Sequence, residues 1–92
     1  MDTSFNCILF NEVSKIPGLL YLKPDEILFM VSGFEQTNLN FTLKYNQIKT
    51  VEYYKVFDIE VQGLKIKDKN GNSNIILMSE FVYVYKTICS KL

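Results

Sequence analysis

The sequence predicts a mostly β domain, namely a seven-stranded antiparallel sandwich or partly open barrel capped by one C-terminal helix. Three observations indicate this class. The chain has 92 residues, which fits one domain over 1–92, and 48% of them are apolar, enough for one core. Most segments are rich in β-branched and aromatic residues, which favour strands. The segment 79–92 carries apolar residues at helical spacing.

Residue types that favour strand predict five strands before the last hairpin: Phe5–Val13, Leu19–Leu22, Ile27–Val31, Leu39–Tyr45 and Ile48–Val56. Apolar residues alternate in Leu39–Tyr45, whereas the pattern of Phe5–Val13 is mixed. Pro17-Gly18 is expected to end the first of these strands. The loop that begins at Lys23 joins the second and third into a hairpin, in which Leu20 lies opposite Phe29. Ile48 and Val51 are both apolar but three positions apart, which predicts a bulge between them.

Asn70-Gly71 predicts a two-residue type I′ turn in the last hairpin. This turn would place Ile66 opposite Ile75 on an apolar face. Leu64 would lie opposite Leu77 on the same face, and Lys67 opposite Asn74 on the polar face. The chain between 57 and 62 fits either a loop or a continued strand.

A helix is predicted over Ser79–Leu92, with Ser79 as the N-cap and Glu80 in the first turn. Its apolar stripe consists of Phe81, Tyr85, Ile88 and Leu92, widened by Val82 and Cys89. We expect this helix to depend on the sheet beneath it, because several of its residues are weak helix formers.

Composition limits the possible functions. Ten lysines without arginine balance ten acidic residues, so bulk charge does not favour direct nucleic-acid binding. The absence of histidine excludes histidine bases and histidine metal ligands. We therefore expect no catalytic, cofactor-binding or metal-binding residues and no enzyme activity. Cys7 and Cys89 are expected to be free buried thiols, with a bridge possible where the first strand and the last helix touch.

The strand order followed by a helix resembles the pleckstrin-homology (PH) superfold. Within it, Gly18–Phe29 resembles the second hairpin of GRAM domains. Leu43–Glu52 and Gly63–Lys67, the latter followed by Asn70-Gly71, are similar to two further GRAM stretches. This resemblance covers nearly the whole chain and implies a membrane-proximal module that binds lipid or protein.

The chain also resembles the N-terminal PH-like domain of the large core subunit of the transcription and repair factor TFIIH. Ile8–Ser14, Gly18–Leu22 and the pair Phe41–Leu43 with Ile48-Lys49 carry this resemblance. The spacing from Phe41 to Ile48 is two residues shorter than in that family, and Phe29 stands where that family often has tryptophan. The resemblance implies a module for transcription and DNA repair that binds acidic, aromatic-containing peptides on a basic strand surface.

A peptide-binding surface is therefore expected at Lys49, Lys55, Lys65, Lys67, Lys69 and Tyr54. Spaced lysines can meet carboxylates while a neighbouring groove takes an aromatic anchor. The competing interpretation is that alternating lysines are the solvent-facing side of a half-buried strand. Tyr53 and Tyr54 are adjacent and must point to opposite faces, and the sequence leaves open which is exposed.

The expected partner is an acidic peptide or protein segment, and the expected state is a monomer. Lys15 is the one basic residue of the loop with which PH domains usually bind phosphoinositides, so specific phosphoinositide binding should be weak or absent. The expected location is intracellular. It would be nuclear for a TFIIH-like domain, and cytoplasmic or membrane-proximal for a GRAM-like one.

Overall fold

Seven antiparallel strands form one sheet in the order β4-β3-β2-β1-β7-β6-β5 in the computed structural model, which describes residues 3–11, 14–32, 40–57 and 59–92. The strands are β1 (Thr3–Asn11), β2 (Ser14–Leu22), β3 (Glu26–Val31), β4 (Phe41–Lys44), β5 (Ile48–Val56), β6 (Glu60–Asp68) and β7 (Ser73–Leu77). A short 3-10 helix, Tyr45–Gln47, precedes β5, and the α-helix α1 (Phe81–Lys91) ends the fold. Because β4 and β5 remain edges, the barrel is partly open, and the predicted fold class is confirmed.

One side of the bent sheet forms the core. Strand side chains alternate between faces, so every second residue points inward. The largest fully buried side chains come from both halves of the sheet and from the helix: Phe29, Leu20, Ile27, Leu64, Ile66, Ile76, Ile88 and Val84. Helix α1 packs against β5 and β6 and covers this inner side.

The predicted break at Pro17-Gly18 is wrong, because both residues lie inside β2. Gly18 pairs with Cys7 of β1 and Val31 of β3. An added Cβ at Gly18 would lie 2.6 Å from Cζ of Phe29, so glycine here lets the Phe29 ring pack against the backbone. The first strand ends at Asn11; the predicted end at Val13 lies outside the described residues.

The predicted β2–β3 register is confirmed, with Leu20 opposite Phe29. The predicted bulge is confirmed as well. Ile48 pairs with Asp68 and Thr50 with Lys67, which leaves Lys49 without a partner in the ladder. Strand β4 ends at Lys44, one residue before the predicted end, because the chain turns into the 3-10 helix there.

The predicted β6–β7 register is wrong by one residue. Leu64 lies opposite Ile76, and Lys65 lies opposite Ile75. The cause is the side chain of Asp68, whose Oδ1 accepts hydrogen bonds from the backbone N–H groups of Asn70 and Asn72, each at 2.9 Å. This cap holds a three-residue loop in which Gly71 adopts φ 92°, so the two-residue turn does not form.

The helix begins one residue later than predicted. Glu80 is the N-cap residue, and the Ser79 hydroxyl donates to the Glu80 carboxylate at 3.2 Å instead of capping the helix. Val84 and Ile88 are the fully buried helix residues, whereas Leu92 is exposed. The buried stripe is thus centred on Val84, which the predicted stripe omitted.

Both cysteines are free, as one of the two interpretations expected. Cys7 is buried in the core, and burial, assisted by the negative charge of Glu80, raises the pKa of its thiol from 9.0 to about 12. Cys89 is exposed on α1, so the expectation that both thiols are buried is wrong.

Candidate peptide-binding surface

Two of the predicted lysines, Lys65 and Lys67, lie on the outer face of β6, the side of the sheet opposite the core. They alternate with Leu64 and Ile66, which are fully buried on the inner side. Both lysines are half-buried. Such burial is typical of a lysine that lays its aliphatic chain along the sheet and keeps the ammonium group in water.

The neighbouring strand β5 moderates the positive charge of these lysines. Glu52 pairs with Lys65, and Thr50 pairs with Lys67. Cross-strand partners share a face, so a carboxylate stands next to the first ammonium group. The Lys67 end of the outer face is therefore the more positive one.

Lys49 and Lys69 border that positive end. Lys49 is exposed in the bulge of β5, beside the residue that pairs with Lys67. Lys69 is exposed in the β6–β7 loop, and its backbone N–H donates to the carbonyl of Gln47 at 2.9 Å. This bond fixes the loop beside the start of β5.

Lys55 is separate from the other predicted lysines. It follows Tyr54 directly and pairs with Val61 beyond a second irregularity in the β5–β6 ladder. Alternation along β5 directs Lys55 and Tyr54 to opposite sides. The structure thus places Lys65 and Lys67 on the outer face with Lys49 and Lys69 at its border, and it leaves Lys55 away from them.

Tyr54 lies on the outer face and contacts Phe10 of β1, with ring centroids 6.2 Å apart. Strands β7 and β6 lie between β1 and β5, so the two rings must extend over them. Gly63, which pairs with Tyr54, makes this possible because it adds no side chain to that face. A Cβ at Gly63 would lie only 2.1 Å from the carbonyl oxygen of Ile76.

Phe10 and Ile75 belong to this surface, although the sequence pattern did not predict them there. Ile75 pairs with Lys65 on one side and with Phe10 on the other. The wrong hairpin register had assigned Ile75 to the core. The carboxylate of Asp68, two residues before the Asn70-Gly71 pair, was the signal for the longer loop. We name the group Phe10, Tyr54, Lys65, Lys67 and Ile75 the lysine–aromatic surface.

Tyr53 points to the other side of β5, towards the helix. Its ring stacks on Tyr85 with centroids 4.4 Å apart and meets Phe81 at 5.8 Å. Even so, 45% of Tyr53 is exposed, whereas Tyr54 is half-buried, which answers the question that the sequence left open. A hydrogen bond with Cys89 raises the pKa of Tyr85.

A cleft of about 710 Å³ adjoins the lysine–aromatic surface, where β1 and β7 diverge beyond the Ile8–Leu77 pair, and its lining residue Lys15 pairs with Phe10. Ile8, Pro17, Leu77 and Phe81 contribute apolar lining, and Lys15 and Glu60 contribute opposite charges. Across the described part of the chain, no three acidic or cysteine side chains converge in the way a metal site requires.

None of the helices in the described ranges has the length and apolar character to cross a bilayer.

No protein-family model matches the chain, and no curated protein matches it in sequence. Among solved structures, it is similar to the C-terminal domain of an unknown protein from Leishmania infantum. The TM-score is 0.81 at 18% sequence identity, over 98% of this chain and 84% of that one. At this identity the likeness concerns the fold alone, so it supports the mostly β architecture and carries no function with it.

Proposed function

We propose that the chain is a non-catalytic, PH-like interaction module that binds an acidic protein segment carrying one aromatic residue. The observation that carries this proposal is the lysine–aromatic surface, in which Lys65 and Lys67 lie on the same face of the sheet as the contacting rings of Phe10 and Tyr54. The resemblance to the N-terminal domain of the TFIIH large core subunit suggests a role in transcription and DNA repair and a nuclear location.

The two parts of the surface would make different contributions to binding. Exposed ion pairs contribute about 0.2–1 kcal/mol each, so Lys65 and Lys67 would add modest affinity and a clear salt dependence. An aromatic side chain packed on the rings of Phe10 and Tyr54 would contribute more, because such residues dominate binding energy at interfaces. The lysines would mainly set the orientation of the peptide and its association rate.

Charge argues against two other classes of ligand. The chain has zero net charge, and Glu52 lies opposite Lys65, so the outer face lacks the dense positive potential that nucleic acid requires. The sequence has no arginine for bidentate phosphate contacts, and Lys15 is the lysine nearest the β1–β2 connection. We therefore propose no direct nucleic-acid binding and weak or no specific phosphoinositide binding.

An amide NMR titration tests the proposal. The added ligand is a short peptide of several Asp and Glu residues around one Phe, and the control peptide has Ala in place of that Phe. We expect saturable shifts at the amides of Phe10, Tyr54, Lys65, Lys67 and Ile75, and weaker binding of the control. Absence of saturable shifts at millimolar peptide, or shifts confined to other surfaces, would contradict the proposal.

Charge reversal then tests whether Lys65 and Lys67 contribute to binding of the peptide. The double variant Lys65→Glu/Lys67→Glu should bind the peptide about tenfold more weakly, since it replaces two attractions by repulsions. The matched control Lys44→Glu/Lys86→Glu changes net charge equally at exposed sites elsewhere and should bind like the parent chain. Equal weakening in both variants would mean that only total charge matters.

The GRAM-like alternative is a membrane-proximal module that binds lipid or protein. It rests on the sequence resemblance of Gly18–Phe29 and the two further stretches. Binding to vesicles that contain phosphatidylserine, together with no response to the acidic peptide, would favour this alternative.

A further inference from the structure

The connection between β5 and β6 exposes two large apolar side chains. Phe57 is 81% exposed and Ile59 is 79% exposed, the highest values among the large apolar residues that the structure describes. Glu60, the next residue, is also exposed. We name Phe57, Ile59 and Glu60 the hairpin tip. Exposed aromatic and aliphatic side chains grouped in this way mark an interaction site more often than single ones do.

The backbone of the hairpin tip holds the phenylalanine in an unusual conformation. Phe57 has φ 53°, in the left-handed region that bulky residues rarely adopt. The N–H of Ile59 donates to the carbonyl of Val56 at 3.1 Å and closes the tight turn around it. Glycine or asparagine would fit this backbone better, so the aromatic ring is kept here at a conformational cost, as is common where a residue serves binding.

The cleft between β1 and β7 lies directly beside the hairpin tip. Glu60 belongs to both features, and Val61 continues from the tip into the cleft wall. The volume of about 710 Å³ falls within the range of pockets that enclose a small ligand, so the cleft has room for one aromatic and one aliphatic side chain. Its apolar lining, which includes Ile8, Pro17 and Leu77, suits such an occupant.

We propose that the occupant of the cleft is the hairpin tip of a second copy of this chain. Because the tip and the cleft share one margin, a two-fold axis at that margin allows each copy to insert its tip into the cleft of the other. Lys15 and Glu60 both line the cleft, so a tip that enters the cleft of the other copy would bring its Glu60 towards Lys15 there. Zero net charge removes the general repulsion between copies.

The charges in this region favour a protein occupant over an anionic membrane. A membrane-inserting tip is usually surrounded by basic residues, whereas this one is flanked by one exposed charge of each sign, Lys55 before it and Glu60 after it. The proposed dimer replaces the sequence-based expectation of a monomer. It uses none of the five residues of the lysine–aromatic surface, although Lys15 pairs with Phe10, so the two surfaces adjoin.

Sedimentation velocity over a concentration series tests the dimer. We expect the weight-average mass of the chain to rise with concentration towards twice that of one copy. The variant Phe57→Ser/Ile59→Ser should remain a monomer throughout the same series. The matched control Val82→Ser/Leu92→Ser removes exposed apolar groups on and after α1 and should dimerise like the parent chain.

A charge exchange keeps the test decisive if the serine variant folds poorly. Lys15→Glu and Glu60→Lys should each weaken dimerisation several-fold, because each places like charges together. The double variant Lys15→Glu/Glu60→Lys should restore it. A parent chain that stays monomeric, a dimer that tolerates the tip variant, or failure of the double variant to recover would overturn the proposal. Binding of the tip to phosphatidylcholine vesicles without self-association would overturn it as well.

Lys65→Glu/Lys67→Glu should dimerise normally, so loss of peptide binding and loss of dimerisation remain distinguishable. An intact amide NMR spectrum of each variant verifies that the fold is preserved.

Discussion

The inner and outer faces of β6 and β7 are built from alternating residues of the same strands and yet differ in character. On the inner face, Leu64, Ile66 and Ile76 are fully buried against the rest of the core. On the outer face, Lys65, Lys67 and Ile75 are half-buried and meet solvent. Stability therefore depends mainly on one face, while the other face can vary in charge and shape. Substitutions on adjacent residues should separate the two roles.

The largest effect is expected on the inner face. Ile66→Ala removes most of a fully buried side chain and should lower the free energy of unfolding by about 2–5 kcal/mol. Urea denaturation followed by circular dichroism measures this loss. Ile75→Ala, the matched change on the outer face, should cost less than half as much, because Ile75 is half-buried. Equal losses in the two variants would mean that both faces support the fold.

The next largest loss of stability is expected for a substitution of Gly63, which packs closely against the backbone of β7. Gly63→Ala places a Cβ 2.1 Å from the carbonyl oxygen of Ile76 and 2.7 Å from Cα of Leu77. Because both neighbours are backbone atoms, the strands must separate, at a cost of about 1–3 kcal/mol. Thermal denaturation measures this cost. Gly71→Ala is the comparison variant, because its Cβ meets no atom within 4 Å. Any loss of stability in that variant comes from the strain of an alanine at positive φ. An unchanged midpoint for Gly63→Ala would show that β6 can shift freely.

A smaller loss of stability is expected at the β6–β7 loop, which sets the register of the hairpin and therefore which residues lie on each face. Asp68→Ala removes the acceptor of the Asn70 and Asn72 N–H groups and should cost about 1 kcal/mol. Asp68→Asn retains a side-chain oxygen and should lose less. Chemical denaturation of both variants measures the difference, and the reverse order would contradict the role of the Asp68 side chain.

On the outer face, charge should matter little for stability. Lys65→Glu and Lys67→Glu should each change the free energy of unfolding by no more than about 0.5 kcal/mol. Lys65→Glu should be the worse of the two, because it places a second carboxylate opposite Glu52. Denaturation at low and high salt measures this, and salt should reduce the difference. A large loss would assign the lysines a structural role.

Near neutral pH, the titration of Cys7 should have no effect on stability. Its folded pKa of about 12 exceeds the unfolded value of 9.0, so the folded state keeps the thiol protonated. Its contribution is complete below pH 9.0 and is lost as the pH rises towards about 12. Over this pH range, the free energy of unfolding of Cys7→Ala should decline less steeply than that of the parent chain. The free energy of unfolding of Cys89→Ala should decline like that of the parent chain. Burial also raises the pKa of Tyr45, so some alkaline loss remains in every variant.

The two hairpins show why the sequence predicted the fold class but only part of the surface. In the β2–β3 hairpin, pairing outward from the four-residue loop that begins at Lys23 predicts the register, which the structure confirms. In the β6–β7 hairpin, Asn70-Gly71 is a strong turn signal, but two hydrogen bonds to Asp68 stabilise a longer loop. Whether the dipeptide or the carboxylate determines the length of the loop depends on where the Asp68 oxygens lie, which the sequence pattern does not give. The contact between Phe10 and Tyr54 could not be predicted from the sequence either, since it joins strands that are distant in the chain.

The short ladder between β1 and β7 has a consequence for how the chain folds. Within the described residues it comprises three pairs, from Ile8–Leu77 to Phe10–Ile75, and it joins the two halves of the sheet. Its two strands are separated by most of the sequence, and contacts of such long range form slowly. During synthesis, β1 can pair with β2 early, but its other edge stays open until β7 has left the ribosome. The nascent chain must therefore protect a partly apolar strand edge until β7 has been synthesised.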